Sequence, residues 1–87
     1  MNILAKLFNK IRDEFGDNFN DSTIIRIVEE CAERTNMLGM NIESLLSDNV
    51  SVSFNDDTLE IDIRQNVMFG IFWSFDSNTG ELVGTWF

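Results

Sequence analysis

Residues 50–64 read VSVSFNDDTLEIDIR, and the pattern of this stretch decides the fold. Apolar and polar residues alternate along Val50–Phe54 and again along Leu59–Arg64, which is typical of β-strands that bury one face. The residues between the two runs, Asn55–Thr58, favour a turn. The stretch therefore predicts two neighbouring strands of one sheet.

The C-terminal part of the chain predicts two further strands. Gln65-Asn66 is expected to be a tight connection, Val67–Phe75 a third strand, Asp76–Gly80 a turn and Glu81–Phe87 a fourth strand. Because connections this short join antiparallel neighbours, the strands are expected to form a meander in chain order.

The residues before Asp48 show helical periodicity instead of alternation. Cap residues and poor helix formers set the expected limits of each helix. The expected elements are a helix over Ile3–Phe15, a second helix capped by Asp21 or Ser22 that breaks between Asn36 and Gly39, and a short third helix over Asn41–Ser47.

Together these elements predict one α+β domain. Two or three N-terminal helices are expected to pack on one face of a four-stranded antiparallel sheet, because each layer has an apolar side to bury. Residues 1–48 form the helical part and residues 49–87 the sheet. A chain of 87 residues allows one such domain with a thin core.

The two faces of the predicted sheet differ in character. The face expected to pack on the helices is apolar throughout: Val50, Val52, Phe54, Leu59, Ile61, Ile63, Val67, Phe69, Ile71, Trp73, Phe75, Leu82 and Trp86. The first half of the other face is polar, with Ser51, Ser53, Glu60, Asp62 and Arg64. Its second half is apolar at Met68, Phe72, Val83 and Phe87, with Gly70, Ser74 and Thr85 between them.

This second apolar surface is expected to be covered, since exposing one Phe gives up about 1.5–3 kcal/mol relative to burying it. The N-terminal helix, a second copy of the chain or a different protein could lie on it. A tolerated exposed patch is the remaining alternative, because folded proteins keep much apolar surface in water.

Composition excludes most catalytic classes. The chain has no His, so it lacks an imidazole base and His-ligated metal sites. The single Cys31 cannot form an internal disulfide and is expected to be a buried core residue. No secretory signal, membrane span, metal site or cofactor motif is found, and a cytoplasmic, non-enzymatic protein is expected.

Acidic residues dominate the charge. Fifteen Asp and Glu stand against six Lys and Arg, giving a net charge of −9, which argues against direct contact with nucleic acid or an anionic membrane. The acids cluster on the second helix and the first hairpin: Glu29, Glu30, Glu33, Asp56, Asp57, Glu60 and Asp62. Pairs such as Glu29 and Glu33 lie about 6 Å apart along a helix, a spacing that resembles a row of phosphates.

A plain solvated helix face is the alternative interpretation of these acids. Arg26–Glu30 and Glu30–Arg34 are expected to form ion pairs across one helical turn and to neutralise part of the cluster.

By size and charge the chain is similar to the small acidic inhibitors carried by phages and mobile elements, such as anti-restriction, anti-CRISPR and nuclease-immunity proteins, although it shares no motif with them. The similarity implies a binding protein that docks on a basic, nucleic-acid-handling enzyme or complex. The seven acids are then expected to supply the electrostatic contact. Met68, Phe72, Val83 and Phe87 are expected to supply an apolar one.

The alternative is an obligate homodimeric adaptor or assembly subunit, joined through the outer face of the sheet at the same four apolar residues.

Overall fold

The structure is a computed structural model that describes residues 3–44, 50–64 and 70–86. It confirms the α+β fold, with the helices N-terminal to an antiparallel sheet of strand order β1-β2-β3-β4. The elements are α1 (Ile3–Phe15), α2 (Asp21–Met37), a 3₁₀ turn (Ile42–Ser44), β1 (Val50–Asn55), β2 (Thr58–Arg64), β3 (Gly70–Asp76) and β4 (Leu82–Trp86).

The β1–β2 hairpin has the register that the alternation predicts, from Val50 opposite Ile63 to Asn55 opposite Thr58. Its loop is tighter than expected, because Asn55 and Thr58 belong to the strands. Asp56 makes the reversal with a φ of 56°, a left-handed conformation that Asp tolerates better than most residues.

Helix α1 has the predicted limits, whereas the predicted cap of α2 is wrong by one residue. Asn20, not Asp21 or Ser22, is the N-cap: its backbone is extended and its side-chain oxygen accepts from the Thr23 N–H at 2.9 Å. Asp21 is the first helical residue, where its negative charge favours the positive end of the helix dipole.

Helix α2 ends where a break is predicted. Met37 is its last residue, and Gly39 follows with a φ of +80°, a conformation that glycine adopts without strain. The expected third helix begins as the 3₁₀ turn over Ile42–Ser44. Its continuation through Leu45, Leu46 and Ser47 lies outside the described residues, as do the Gln65-Asn66 connection and Val67 and Phe69.

The core lies between the helices and one face of the sheet, called here the inner face. Ile3, Leu7 and Ile11 of α1 and four residues of α2 are buried in the same apolar cluster as the inner-face residues. Helix α1 packs on α2 and β1, and α2 packs against β4. The N-terminal helix therefore does not cross to the opposite face of the sheet.

Cys31 and Thr35 complete the buried side of α2. The Thr35 hydroxyl donates to the Cys31 carbonyl at 2.8 Å. Cys31 is buried as predicted, and burial raises the pKa of its thiol well above the ordinary value. The thiol therefore stays protonated and unreactive at neutral pH.

Strand β4 contradicts one part of the predicted face assignment. Phe75 lies opposite Leu82 and Ser74 opposite Gly84, so Val83 is an extra residue, a β-bulge. Because side chains alternate between faces, this insertion exchanges the faces of the residues that follow. The predicted inner position of Trp86 and outer position of Thr85 are both wrong.

The exchange is visible at both residues. Trp86 lies opposite the outer-face residue Phe72 and is 52% exposed. Thr85 lies opposite the buried Trp73, and its Oγ1 is itself buried, with no hydrogen-bond partner in the ranges that the structure covers.

Phe54 holds its predicted inner position at the edge of the core. Its ring packs edge-on against Phe15 with 4.1 Å between ring centroids, and it remains 37% exposed. Neither helix of the described chain is long and apolar enough to cross a membrane.

Candidate docking surface

The side of the sheet that faces away from the helices is called here the outer face. On it, cross-strand partners form two neighbouring rows. The first row is Asp62, Phe72 and Trp86, and the second is Glu60, Ser74 and Gly84. The acidic residues of β2 thus stand about 4.8 Å from Phe72 and Ser74 in the next strand, β3, and about twice that distance from Trp86 in β4.

Phe72 and Trp86 form an aromatic pair at the centre of the first row. Their ring centroids are 5.4 Å apart and the rings are tilted by 56°. Phe72 is half-buried and Trp86 is 52% exposed, and Val83, the bulge residue of the same strand as Trp86, is 61% exposed. No described segment of the chain covers these apolar groups.

The absence of a side chain at Gly84 determines where the Trp86 ring lies. A Cβ at Gly84 would be 2.5, 2.8 and 3.1 Å from three adjoining carbons of the indole, so the ring occupies the space that a side chain would need. Ser74, directly opposite Gly84, is only 4% exposed although it belongs to the outer face. This burial is consistent with the position of the indole, which lies over Gly84 in the same row.

Two carboxylates of β2 border the aromatic pair. Glu60 is half-buried and has no ion-pair partner among the residues described. Asp62 is 3.6 Å from the exposed guanidinium of Arg64, a pair that water screens. Beyond them, β1 contributes only the exposed Ser51 and Ser53, which leave the carboxylates accessible.

The turn acids stand at one end of this face. Asp56 and Asp57 are exposed in the β1–β2 loop. The Asp57 carbonyl accepts from the Ser77 N–H at 2.8 Å, which ties this loop to the β3–β4 turn. The two loops therefore form one end of the sheet.

Asp76 uses its carboxylate to shape the β3–β4 turn. Its Oδ1 accepts from the backbone N–H groups of Asn78 at 2.8 Å and Thr79 at 3.0 Å. These hydrogen bonds favour the charged form and lower the pKa of Asp76 below its ordinary value. This acid has a structural role that the composition did not indicate.

The acids of α2 belong to the other layer. Glu29 and Glu33 are exposed on the helix, which packs against the inner face, so the sheet separates them from Glu60 and Asp62. Glu30 forms the predicted ion pair with Arg34 at 3.1 Å. The seven predicted acids thus do not form one row: three lie on α2, two in the β1–β2 loop and two on the outer face.

Arg26 does not form the predicted pair with Glu30. Its Nη2 donates to the Thr79 carbonyl at 2.9 Å and so joins α2 to the β3–β4 turn. A groove of about 450 Å³ opens there between helix and turn, lined by Arg26, Glu30, Arg34, Gly80, Glu81 and Leu82. Two cations and two anions line it, so its charge selects no class of ligand.

Met68 and Phe87 lie outside the described residues, so the predicted apolar contact is represented by Phe72 and Val83. Trp86 and Gly84 are the residues of this surface that sequence reasoning missed. Gly84 is the sequence feature that could have indicated the change of face in β4, because a glycine inside a strand often marks a bulge. In the described ranges no group of three acidic or cysteine side chains could hold a metal ion.

Comparison of the chain with protein-family models, curated proteins and solved structures finds no match.

Proposed function

We propose that this chain is a non-enzymatic, cytoplasmic binding protein that docks through its outer face on a basic, nucleic-acid-handling protein and inhibits it. The observation that supports the proposal is the exposed Phe72–Trp86 pair bordered by the carboxylates of Glu60 and Asp62. Protein interfaces commonly combine an aromatic anchor with a polar rim in this way.

The charge of the whole chain supports a basic partner. A net charge of −9 on 87 residues attracts positively charged surfaces over a Debye length of about 8 Å at physiological salt. Proteins that handle nucleic acid present such surfaces to bind phosphates. Occupation of that surface by the acidic chain would exclude the nucleic acid.

The test is affinity capture from the native host with the immobilised chain, at low and at high salt. We expect a basic protein that is retained at low salt and released at high salt, because screening weakens the charge contact. The captured protein is then purified, and its nucleic-acid binding is measured with and without the chain. Binding that the chain does not reduce would contradict inhibition.

Two charge-matched variants provide the control. E60Q/D62N changes the outer face and E29Q/E33Q changes α2, and each takes the net charge from −9 to −7. We expect the first variant to lose the partner and the second to keep most of its affinity. Equal losses would mean that net charge alone drives the contact, and a larger loss from the α2 variant would move the site to the helix.

A further inference from the structure

We propose that the group which the outer face takes from its partner is an arginine side chain, stacked on Trp86 and paired with the carboxylates of β2. This inference rests on the proposed function and specifies the chemistry of the same surface. It follows from the position of the indole, from the lack of an ion-pair partner for Glu60 among the described residues and from the sign of the charge around them.

The indole is the first element of this site. Its ring lies across Gly84 and contacts Phe72 at 5.4 Å between centroids, so its neighbours on the sheet fix its position. Trp86 nevertheless remains 52% exposed. An immobilised, accessible indole is the strongest aromatic acceptor for a cation, since the face of the ring carries partial negative charge.

The carboxylates are the second element. Glu60 and Asp62 project from the same side of β2, about 7 Å apart. Asp62 stands opposite Phe72, and Glu60 stands opposite Ser74, which in turn is opposite Gly84, the residue over which the indole lies. A cation resting on Phe72 is therefore one strand away from Asp62, whereas a cation resting on Trp86 is two strands, about 9.6 Å, away, so an arginine that joins Trp86 to the acids has to cross Phe72.

Glu60 is the carboxylate of this surface that is available to pair with a cation from a partner. Asp62 already has Arg64 at 3.6 Å, whereas Glu60 has no cation within salt-bridge distance in the described chain. Glu60 is also half-buried, so a partner that covers it without supplying a positive group would leave a desolvated charge, which is costly.

Arginine fits this arrangement better than lysine. Its guanidinium is planar, stacks on an aromatic face and offers several N–H donors in the plane to a neighbouring carboxylate. A lysine ammonium is a compact, strongly hydrated charge that cannot stack. A second copy of this chain fits worse, because it would bring the same acids against each other at a net charge of −9 on each subunit.

The test measures the binding of two labelled homopeptides of equal length, one of arginine and one of lysine, by fluorescence anisotropy at one ionic strength. We expect the arginine peptide to bind about two- to fivefold more tightly, the advantage that an exposed aromatic stack provides. W86L should abolish this preference, because removing the indole weakens arginine-peptide binding more than lysine-peptide binding. W86F should retain part of it, and V83A, a change at the neighbouring exposed residue, should retain all of it.

Two results would overturn the inference: equal affinity for both peptides, or an arginine preference that survives in W86L. The proposed function is tested separately by the charge-matched pair and the captured partner. If E60Q/D62N loses the partner and the two peptides bind equally, the outer face is still the docking surface, but arginine is not the group that it binds. If the arginine peptide binds more tightly but E60Q/D62N still binds the partner fully, the outer face is not the docking surface for that partner.

Discussion

At the scale of single residues, Gly84 and Trp86 have the largest consequence for the surface of this protein. The glycine leaves the space that the indole occupies, and Ser74, directly opposite this glycine, is buried. A side chain at position 84 would remove that space, because its Cβ would lie 2.5 Å from the ring. Gly84 thus determines where the aromatic ring of Trp86 lies.

Replacing Gly84 by Ala tests this relation. The ring of Trp86 has to move away from the sheet and become more exposed, so tryptophan emission should shift to longer wavelength. The free energy of unfolding should change by less than about 1 kcal/mol, since alanine is easily accommodated in a strand. G84A combined with W86F should show no such shift, and an unchanged spectrum in G84A alone would contradict the described position of the indole.

The ionisation of Asp76 makes the stability of the folded protein depend on pH. Its pKa is lowered in the folded state by the N–H groups of Asn78 and Thr79 and is near 3.9, about the ordinary Asp value, in the unfolded chain. The stabilisation is therefore complete above about pH 4 and is lost as the pH falls through the lower, folded pKa.

D76N removes this titration but keeps an oxygen that can accept the same hydrogen bonds. We expect the wild type to unfold at higher urea concentration than D76N at neutral pH. The difference should narrow as the pH falls below about 4, where Asp76 itself becomes protonated. A difference that stays constant down to acid pH would exclude a contribution from the charge of Asp76.

At the scale of elements, local periodicity predicts the strands and helices well and the faces of β4 poorly. The alternation in Val50–Asn55 and Thr58–Arg64 reflects one buried side and depends only on the residues themselves. The bulge at Val83 depends instead on how β4 pairs with β3. Because pairing is a property of two strands, the sequence of β4 alone placed Trp86 on the wrong face.

The sequence likewise predicts one part of the candidate surface and not another. Phe72, Glu60 and Asp62 were expected on the outer face, because each alternates with buried neighbours. The separation of these acids from Glu29 and Glu33 was not predictable, since it depends on which face of the sheet α2 covers. Periodicity shows that a helix has an apolar side but does not say where its acids lie relative to another element.

The join between α2 and the β3–β4 turn depends on Gly80. This residue has a φ of +75°, and a Cβ there would lie 2.7 Å from Thr23 Cγ2 of α2. Gly39 is the matched control, since its φ is +80° and nothing would touch its Cβ.

G39A should destabilise the protein by about 1–2 kcal/mol, the cost of a left-handed conformation for a residue other than glycine. G80A should cost more, because it also forces α2 away from the turn. The free energies of urea unfolding measure both variants. An equal or smaller loss in G80A would mean that the turn and the helix are not in close contact.

At the scale of the whole molecule, the distribution of charge and apolar surface predicts the state of association. The chain has a mass of 10.0 kDa and a net charge of −9, and its exposed aromatic pair is bordered by acids. Two copies meeting at the outer face would oppose these like charges. We therefore expect a monomer by sedimentation equilibrium at high micromolar concentration, both for the wild type and for F72D.

A wild type of twice the monomer mass, together with a monomeric F72D, would contradict this expectation. It would support the alternative of a homodimeric adaptor joined through the outer face. High salt then provides a second distinction, because a dimer opposed by like charges is strengthened by screening, whereas a complex with a basic partner is weakened.

The outer face of the sheet is the proposed contact surface for a basic protein. Amide chemical shifts of the labelled chain, mapped as the captured partner is added, locate the contact. The largest changes are expected at Glu60, Asp62, Phe72 and Trp86, with little change along α2. Changes concentrated at Glu29 and Glu33, with the outer face unaffected, would contradict this proposal.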